Sequence, residues 1–413
     1  MGVPSTNNKD VVYSPASEAL IANRKIICEY SFAASRERIL KTKATRSSES
    51  LQADEDRNAA SLYLNSKELI LSASQFGGDR PLTYIRFSPK GDLLATGSLN
   101  ETVRLWSTST LVEVAAFRGH TERVTSLCWS QLDSNGSDPS GGLNAHPLLA
   151  STSADGTCIL WNISRYSSKL STTEPWDSVK EGCSALDEMD VDGSQGNITY
   201  PELIAHRLKG HQGVVSDCDF HPSGNYVGTA GHDACWRLWD VERGEELLVQ
   251  DGHIKECSVI SFQRDGALVV TADWAGVVLV WDLRTGQCIQ TLQGHIKKIV
   301  TAAFSPNGFQ VATGAADHMV RVWDLRKKKC GYALPGHSNV ISCARYSASG
   351  ELLVTSSFDG AVKVWNARNF DLLRSLSGHT GKVMSCDISP DEKRVVSAGF
   401  DRTIKVWAHR DEF

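Results

Sequence analysis

The sequence has no apolar run long enough to cross a membrane as a helix and no leader of the secretory kind, so neither a membrane span nor export is expected. It has no glycine-rich phosphate loop, no cluster of His, Cys and carboxylates at metal-ligand spacing, and no unpaired carboxylate constellation. Those absences argue against an enzyme, a small-molecule substrate, a cofactor or a metal. No C-x-x-C pair occurs, and the eleven cysteines are odd in number. Cys218 and Cys386 fall at equivalent positions of two repeated segments, so the cysteines read as small core residues in a reducing compartment. The N-x-[ST] sequons at Asn100, Asn162 and Asn197 are then chance matches. A strong charge of one sign is missing too. The stretch Ser171–Gly193 sets Glu174, Asp177, Glu181, Asp187, Glu188, Asp190 and Asp192 against Lys180 alone, and this outweighs the whole net charge of −5. The remainder is near neutral, too balanced for a broad nucleic-acid-binding surface. With 41% hydrophobic and 22% charged residues, the composition is that of a soluble globular protein.

What the chain does have is repetition. Its cleanest copy runs from Gly294 to Asp324, GHIKKIVTAAFSPNGFQVATGAADHMVRVWD, and Gly-His recurs every 42 residues at Gly210, Gly252, Gly294, Gly336 and Gly378. Closing tryptophans at Trp106, Trp161, Trp239, Trp281, Trp323, Trp365 and Trp407 mark seven copies. A period of this length with Gly-His and Trp-Asp ends predicts an all-β fold, a seven-bladed β-propeller with four strands per blade.

Ten residues before each tryptophan stands a hydroxyl residue: Thr96, Ser151, Thr229, Thr271, Thr313, Thr355 or Ser397. Six before it stand Asn100, Asp155, Asp233, Ala275, Asp317, Asp359 and Asp401, and the histidines are His120, His211, His253, His295, His337 and His379. Histidine, carboxylate and hydroxyl are the parts of a nucleophilic triad. A catalytic set occurs once per site, however, whereas this one recurs five times in full and always with an indole. It is expected to be structural: Asp accepts from His, His meets the hydroxyl, and the hydroxyl accepts from the Trp N–H. In the fourth copy Ala275 leaves His253 without its usual acceptor. Thr271→Ala is therefore expected to cost less than Thr313→Ala, unless Asp273 completes the network.

Residues 1–16 are polar and unpatterned and are expected to be disordered. A helical extension is expected over 17–65. Its helices are Ser17–Tyr30, a second one capped by Ser31 and ending near Lys43, and a third over Asp54–Leu64; the alternative is a solvated linker. The propeller then occupies 66–413, with inserts at 131–146 and 164–201 in blade two that are poor in apolar residues and expected to be flexible. Only six residues follow Trp407, too few for an outer strand. The strand Glu68–Ser74 is expected to close the ring as the outer strand of blade seven, removing an open edge.

The segments FGGDRPLTYIRFSP, HPSGNYVGTAGHDACWRLWD, VWDLRTGQCIQTLQGH, FSPNGFQVATG, GHTGKVMSCDIS and DRTIKVW resemble the pre-mRNA-processing factor 4 family, the WD-repeat subunits of the spliceosomal U4/U6 small nuclear ribonucleoprotein (snRNP). The likeness runs from about Ser17 to Trp407. Two features are selective: a first blade with Gly78 in place of the histidine, and the paired tryptophans Trp236 and Trp239. Ser31–Lys43 is similar to the helix that leads into that family's propeller. The family's short N-terminal splicing-factor motif has no match here, and the blade-two inserts are longer than the family's.

The resemblance implies a nuclear, non-catalytic scaffold of the U4/U6 and U4/U6·U5 tri-snRNP in mRNA splicing. Its partners would be other snRNP proteins, especially the companion processing factor on the U4/U6 duplex. A reading from another class is the substrate receptor of a ubiquitin ligase, which would need an adaptor-binding motif in the leading helices. The partner-binding face is expected where the turn tips carry His232, Trp274, Phe358 and Phe400, ringed by Arg123, Lys298 and Lys382. The alternative is that each ring folds back on an adjoining loop. Arg326, Lys327, Lys328 and Lys329 form the densest basic run, a candidate for peripheral contact with U4/U6 RNA and otherwise a solvated loop.

Overall fold

The computed structural model describes residues 17–131, 148–164 and 203–409. The expected disorder of residues 1–16 lies outside them, as do the inserts apart from Gln131 and Ser164. The described strands form seven four-stranded antiparallel sheets. In six of them the strand order from the axis outward is the chain order, as in blade five with Ile299–Phe304, Gln310–Ala315, Val320–Asp324 and Lys329–Leu334. Short β-branched runs separated by Pro-x-Gly and Asp-containing turns leave the chain little else to form. Second strands such as Leu93–Ser98 and Leu352–Ser357 are buried at every residue, because each lies between two neighbouring blades. The outer strand Gln287–Gln293 instead exposes every second residue, as a half-covered edge requires.

Blade seven closes the ring across the whole length of the chain. Its outer strand is Ile70–Phe76, two residues later than expected, paired antiparallel to Thr403–Ala408 from Ile70↔Ala408 to Phe76↔Thr403. A register shift lies opposite Trp407, where the third-to-outer pairs of the other blades shift at Trp239, Trp281 and Trp323. The borrowed strand thus reproduces an ordinary outer strand down to its bulge. Neighbouring blades are also tied near the axis. Asp387 accepts from the Phe87 amide at 2.8 Å, Asp219 from the Phe262 amide at 2.9 Å, and Thr301 Oγ1 from the Ala344 amide at 3.1 Å. Cys218 and Cys386 are buried here in innermost strands, as core residues.

The N-terminal segment forms two helices, not three. Helix α1 spans Glu18–Ser47 with Ser17 as its N-cap, and α2 spans Glu49–Lys67 with Ser48 as cap. Ser31 does not start a helix: it is buried inside α1, and its hydroxyl donates to the Cys28 carbonyl one turn back. Leu20 and Ile27 seat α1 on Trp236, Leu238, Leu248, Trp281 and Leu283. Each such burial contributes about 1.5–3 kcal/mol. Arg38 fixes the middle of α1, with its guanidinium 2.7 Å from the Asp265 carboxylate and donating to the Asn307 carbonyl. Tyr63 of α2 donates to Glu351, and Asp56 pairs with Arg368. Tertiary contacts therefore carry both helices.

Candidate functional site

Connections alternate between the two faces of the ring. Gly-His loops and second-to-third-strand turns emerge on one face; first-to-second and third-to-outer turns emerge on the other. Asp265, Asn307 and Glu351 lie in first-to-second turns, and Arg284 and Arg368 in third-to-outer turns. All of them meet α1 or α2, with Arg284 lying over the Phe32 ring at 5.7 Å. Helices α1 and α2 thus occupy the face opposite the Gly-His loops.

The Gly-His loops are held rigidly by the repeated polar chains. In blade five His295 Nδ1 lies 2.8 Å from Asp317, His295 Nε2 lies 2.8 Å from Thr313 Oγ1, and Trp323 Nε1 donates to that hydroxyl at 2.8 Å. The same three contacts link His120, Asp155, Ser151 and Trp161 in blade two and His211, Asp233, Thr229 and Trp239 in blade three. They recur in blade six with His337, Asp359, Thr355 and Trp365, and in blade seven with His379, Asp401, Ser397 and Trp407. Burial pushes the pKa of His295, His337 and His379 down. At Asp233 burial is the largest influence and opposes the charge, but His211, the Gln212 amide and Arg237 together outweigh it and hold the carboxyl at about 2. A neutral imidazole donating from Nδ1 satisfies every member. The hydroxyls are fully buried, so a nucleophile has no route to a substrate.

Blade four keeps the chain by another route. His253 Nδ1 lies 3.2 Å from Asp273, and Thr271 joins His253 to Trp281 as elsewhere. Asp273 ends the second strand, where the other blades have Ser98, Ser153, Gly231, Ala315, Ser357 and Gly399. Two residues earlier than usual, a carboxylate replaces a small residue and does the work missing at Ala275. The expectation that His253 lacks an acceptor is thereby corrected. In five histidine blades the carboxylate also accepts the amide after the histidine; Asp273 accepts instead from the amides of Ala275 and Val277.

On this frame the Gly-His face presents its aromatic and cationic groups. Trp274 is half-buried, its ring 4.8 Å from His232 of blade three, and Lys298 of blade five lies 4.6 Å over it. Phe358 of blade six sits beneath Lys382 of blade seven at 5.1 Å. Phe400 is 49% exposed. Arg123 and Lys382 are exposed. Burial first, then the charges of Arg123 and Lys298, press the His232 pKa down against the opposing pull of Glu256 and Asp233. His232, Trp274, Lys298 and Arg123 thus form one neighbourhood, with Phe358 and Lys382 as a second pair. An open groove of about 600 Å³ runs between blades three, four and five, lined by His232, Ile254, Lys255, Glu256, Trp274 and Lys298 among others.

The basic run lies elsewhere. Arg326, Lys327 and Lys328 lie in the third-to-outer turn of blade five and Lys329 opens the outer strand, on the helix-bearing face. The four side chains are exposed, but Arg326 is held by Asp324 at 3.0 Å and lies 3.5 Å over the Phe309 ring. Aromatic face and basic loop are separate surfaces.

Seven stretches of the chain match the family described as WD domain, G-beta repeat: 70–107, 111–162, 203–240, 244–282, 286–324, 328–366 and 370–408. The chain belongs to the WD-repeat family. WD-repeat propellers are generally non-catalytic scaffolds, in keeping with the sealed polar chains. An uncharacterized WD repeat-containing protein of Schizosaccharomyces pombe is 37% identical over 226 residues, 55% of this chain and 40% of that protein. The U4/U6 small nuclear ribonucleoprotein PRP4 of Saccharomyces cerevisiae is 31% identical over 241 residues, 58% of this chain and 42% of its own length. A PRP4-like protein of Arabidopsis thaliana is 35% identical over 111 residues, 26% of this chain and 18% of that protein. The aligned stretches thus span less than half of each relative.

Asp273, the alternative acceptor named from the sequence, is the one that serves His253. One feature of this WD-repeat face has no counterpart among the sequence expectations: the pair Ile254 and Ile296, 89% and 85% exposed, at the position directly after the Gly-His histidine. The signal is there when the repeats are aligned column by column, because the other blades carry polar residues at that position.

Proposed function

We propose that this WD-repeat protein is a non-catalytic scaffold of the U4/U6 and U4/U6·U5 tri-snRNP in the nucleus, and that its Gly-His face holds another snRNP protein. The companion processing factor on the U4/U6 duplex is the partner this reading favours, with contact to U4/U6 RNA confined to the periphery. The observation that carries the choice of surface is the placement of α1 and α2. They occupy the opposite face, leaving Trp274, Phe358 and Phe400 with their neighbouring cations uncovered by the chain's own helices. Aromatic anchors with cationic neighbours make the energetic centre of many protein interfaces. The assembly is suggested by the similarity to the yeast protein named U4/U6 small nuclear ribonucleoprotein PRP4.

The test is affinity purification of the full chain with sequencing of the bound RNA, beside Trp274→Ala, Phe358→Ala and Phe400→Ala variants whose melting temperatures are measured in parallel. Recovery of U4 and U6, abolished in the variants without a drop in stability, supports the reading. Absence of both RNAs from the wild-type purification removes the snRNP assignment. Intact recovery in all three variants removes the aromatic face.

A further inference from the structure

Across the six histidine blades the residue after the histidine is Thr121, Gln212, Ile254, Ile296, Ser338 or Thr380. Each side chain stands in solvent. Four are polar, as a solvated loop tip favours; the two isoleucines occupy adjacent blades and are almost fully exposed. They flank one turn. The Trp274 amide donates to the Glu256 carbonyl, which ties the turn to the loop bearing Ile254. A Cβ at Gly276 would come within 2.8 Å of the His295 carbonyl oxygen, which places the far side of the turn against the loop bearing Ile296. The turn bearing Trp274 therefore lies between the two loops that carry the bare isoleucines. Around them stand Lys255, Lys297 and Lys298, with Arg123 reaching toward His232 from blade two. The groove's carboxylates are Glu256 and Asp233, and Asp233 is already engaged by His211 and Arg237.

We propose that this blade-four and blade-five patch is a docking site for an acidic, apolar linear segment of a partner protein: aliphatic or aromatic side chains on Ile254, Trp274 and Ile296, carboxylates on Lys255, Lys297 and Lys298. The excess of cations over available carboxylates selects the sign of the occupant. Exposed aliphatic side chains select its apolar component, since their desolvation rewards only a nonpolar partner. A single-stranded RNA fits less well. Lys298 lies over the Trp274 ring and His232 packs against it, so the indole is not a free platform for a base, and isoleucines offer none. The proposal deepens the scaffold reading, because it gives the chemistry of the partner on the same face.

The test places a photo-crosslinking phenylalanine derivative at Ile296 of the full chain in cells, with the same residue at exposed Ile289 of the outer strand as control. The crosslinked peptide is identified by mass spectrometry, synthesised, and titrated against the purified wild-type chain, an Ile254→Ser plus Ile296→Ser variant and a Lys297→Glu plus Lys298→Glu variant. We expect a segment of net negative charge with apolar side chains. Its binding should weaken by about tenfold or more in each variant while the melting temperature is unchanged. Serine is what blade six already carries at this position, so the isoleucine variant should fold. A crosslink to RNA, to a second copy of the chain or to a basic segment overturns the proposal, as does no crosslink above the Ile289 control. So does an acidic segment whose affinity ignores both variants. RNA sequenced from the same purification keeps the two readings apart. U4 and U6 without the acidic crosslink leave the scaffold and remove this site; the acidic crosslink without U4 and U6 does the reverse.

Discussion

The carboxylate of Asp273 lies 3.2 Å from Nδ1 of His253, reached from a chain position two residues before that used by Asp317 toward His295. Blade four is therefore complete, and its hydroxyl should matter as much as any other. Thr271→Ala and Thr313→Ala are predicted to destabilise equally. Each costs about 1–3 kcal/mol, because each leaves a buried indole N–H and an imidazole nitrogen unpaired. Asp273→Gly should cost a similar amount, and adding Ala275→Asp should restore most of it by recreating the arrangement of Gly231 and Asp233. Chemical denaturation of the four variants decides this. A double variant no better than Asp273→Gly would show that the acceptor's position cannot be exchanged.

The ring closure gives a second prediction. A chain starting at Gly77 lacks the strand Ile70–Phe76 and leaves Thr403–Ala408 as an open edge. It also lacks the α1 anchors Leu20 and Ile27 and the Arg38–Asp265 pair. We expect aggregation or a melting temperature lower by about 10 °C or more. A chain lacking only residues 1–15 should melt like the full one. Size-exclusion chromatography and thermal melting measure both. A soluble, cooperatively melting chain that starts at Gly77 would contradict the role given to the closing strand.

Blade number, strand order and polar chains were legible because the repeat states its tryptophan and hydroxyl columns seven times and the full polar set five times; the borrowed strand was legible because it precedes the first inner strand as an ordinary outer strand does. Where one copy departs from the others, the reading weakened. Asp273 sits outside its expected column, so the sequence offers it only as an alternative acceptor, and its 3.2 Å contact with His253 decides for it. Ser31 carries the chemistry of a cap, yet burial against the propeller turns its hydroxyl back to Cys28 and α1 runs on. Local propensity had no access to that tertiary contact. The face carrying Trp274 and Lys298 was readable from topology. That the basic loop lies on the other face followed only from assigning each turn to an edge.

A third prediction concerns pH. Burial pushes the Asp217 carboxyl up to about 7, although it accepts from Ser126 Oγ and the Cys218 amide. The folded state then holds a proton that the unfolded chain releases near the ordinary carboxylate value, so this residue lowers stability as pH rises from about 4 to 7. His295, His337 and His379 act in the opposite sense. Their folded pKa values are lowered, so the unfolded chain binds more protons and stability rises with pH up to about 6.5. In wild type the two slopes oppose one another. Asp217→Asn removes the first, so stability should climb more steeply between pH 4 and 7, by up to about 1 kcal/mol per unit. The slope is the readout, since an amide facing the Ile260 N–H adds only a constant offset. Parallel curves for the two proteins would mean that Asp217 is ionised throughout.

The last prediction concerns the basic loop. Lys327, Lys328 and Lys329 are exposed, and their charge is available to a phosphate backbone. Arg326 is different, because its guanidinium is bound to Asp324 and lies over Phe309. Changing the three lysines to glutamate should leave the melting temperature within about 1–2 °C, since solvated turn residues contribute little to folding. If RNA is bound here, its affinity should fall and the slope of log affinity against log salt should flatten by about 0.7–0.9 for each phosphate that the lysines no longer neutralise. Arg326→Glu should instead lower stability, as it puts a second carboxylate beside Asp324 and removes the cation from the Phe309 ring. Filter binding of U4/U6 RNA across a salt series, with melting curves for the same proteins, separates the two effects. An unaltered salt slope in the lysine variant excludes this loop from the RNA interface.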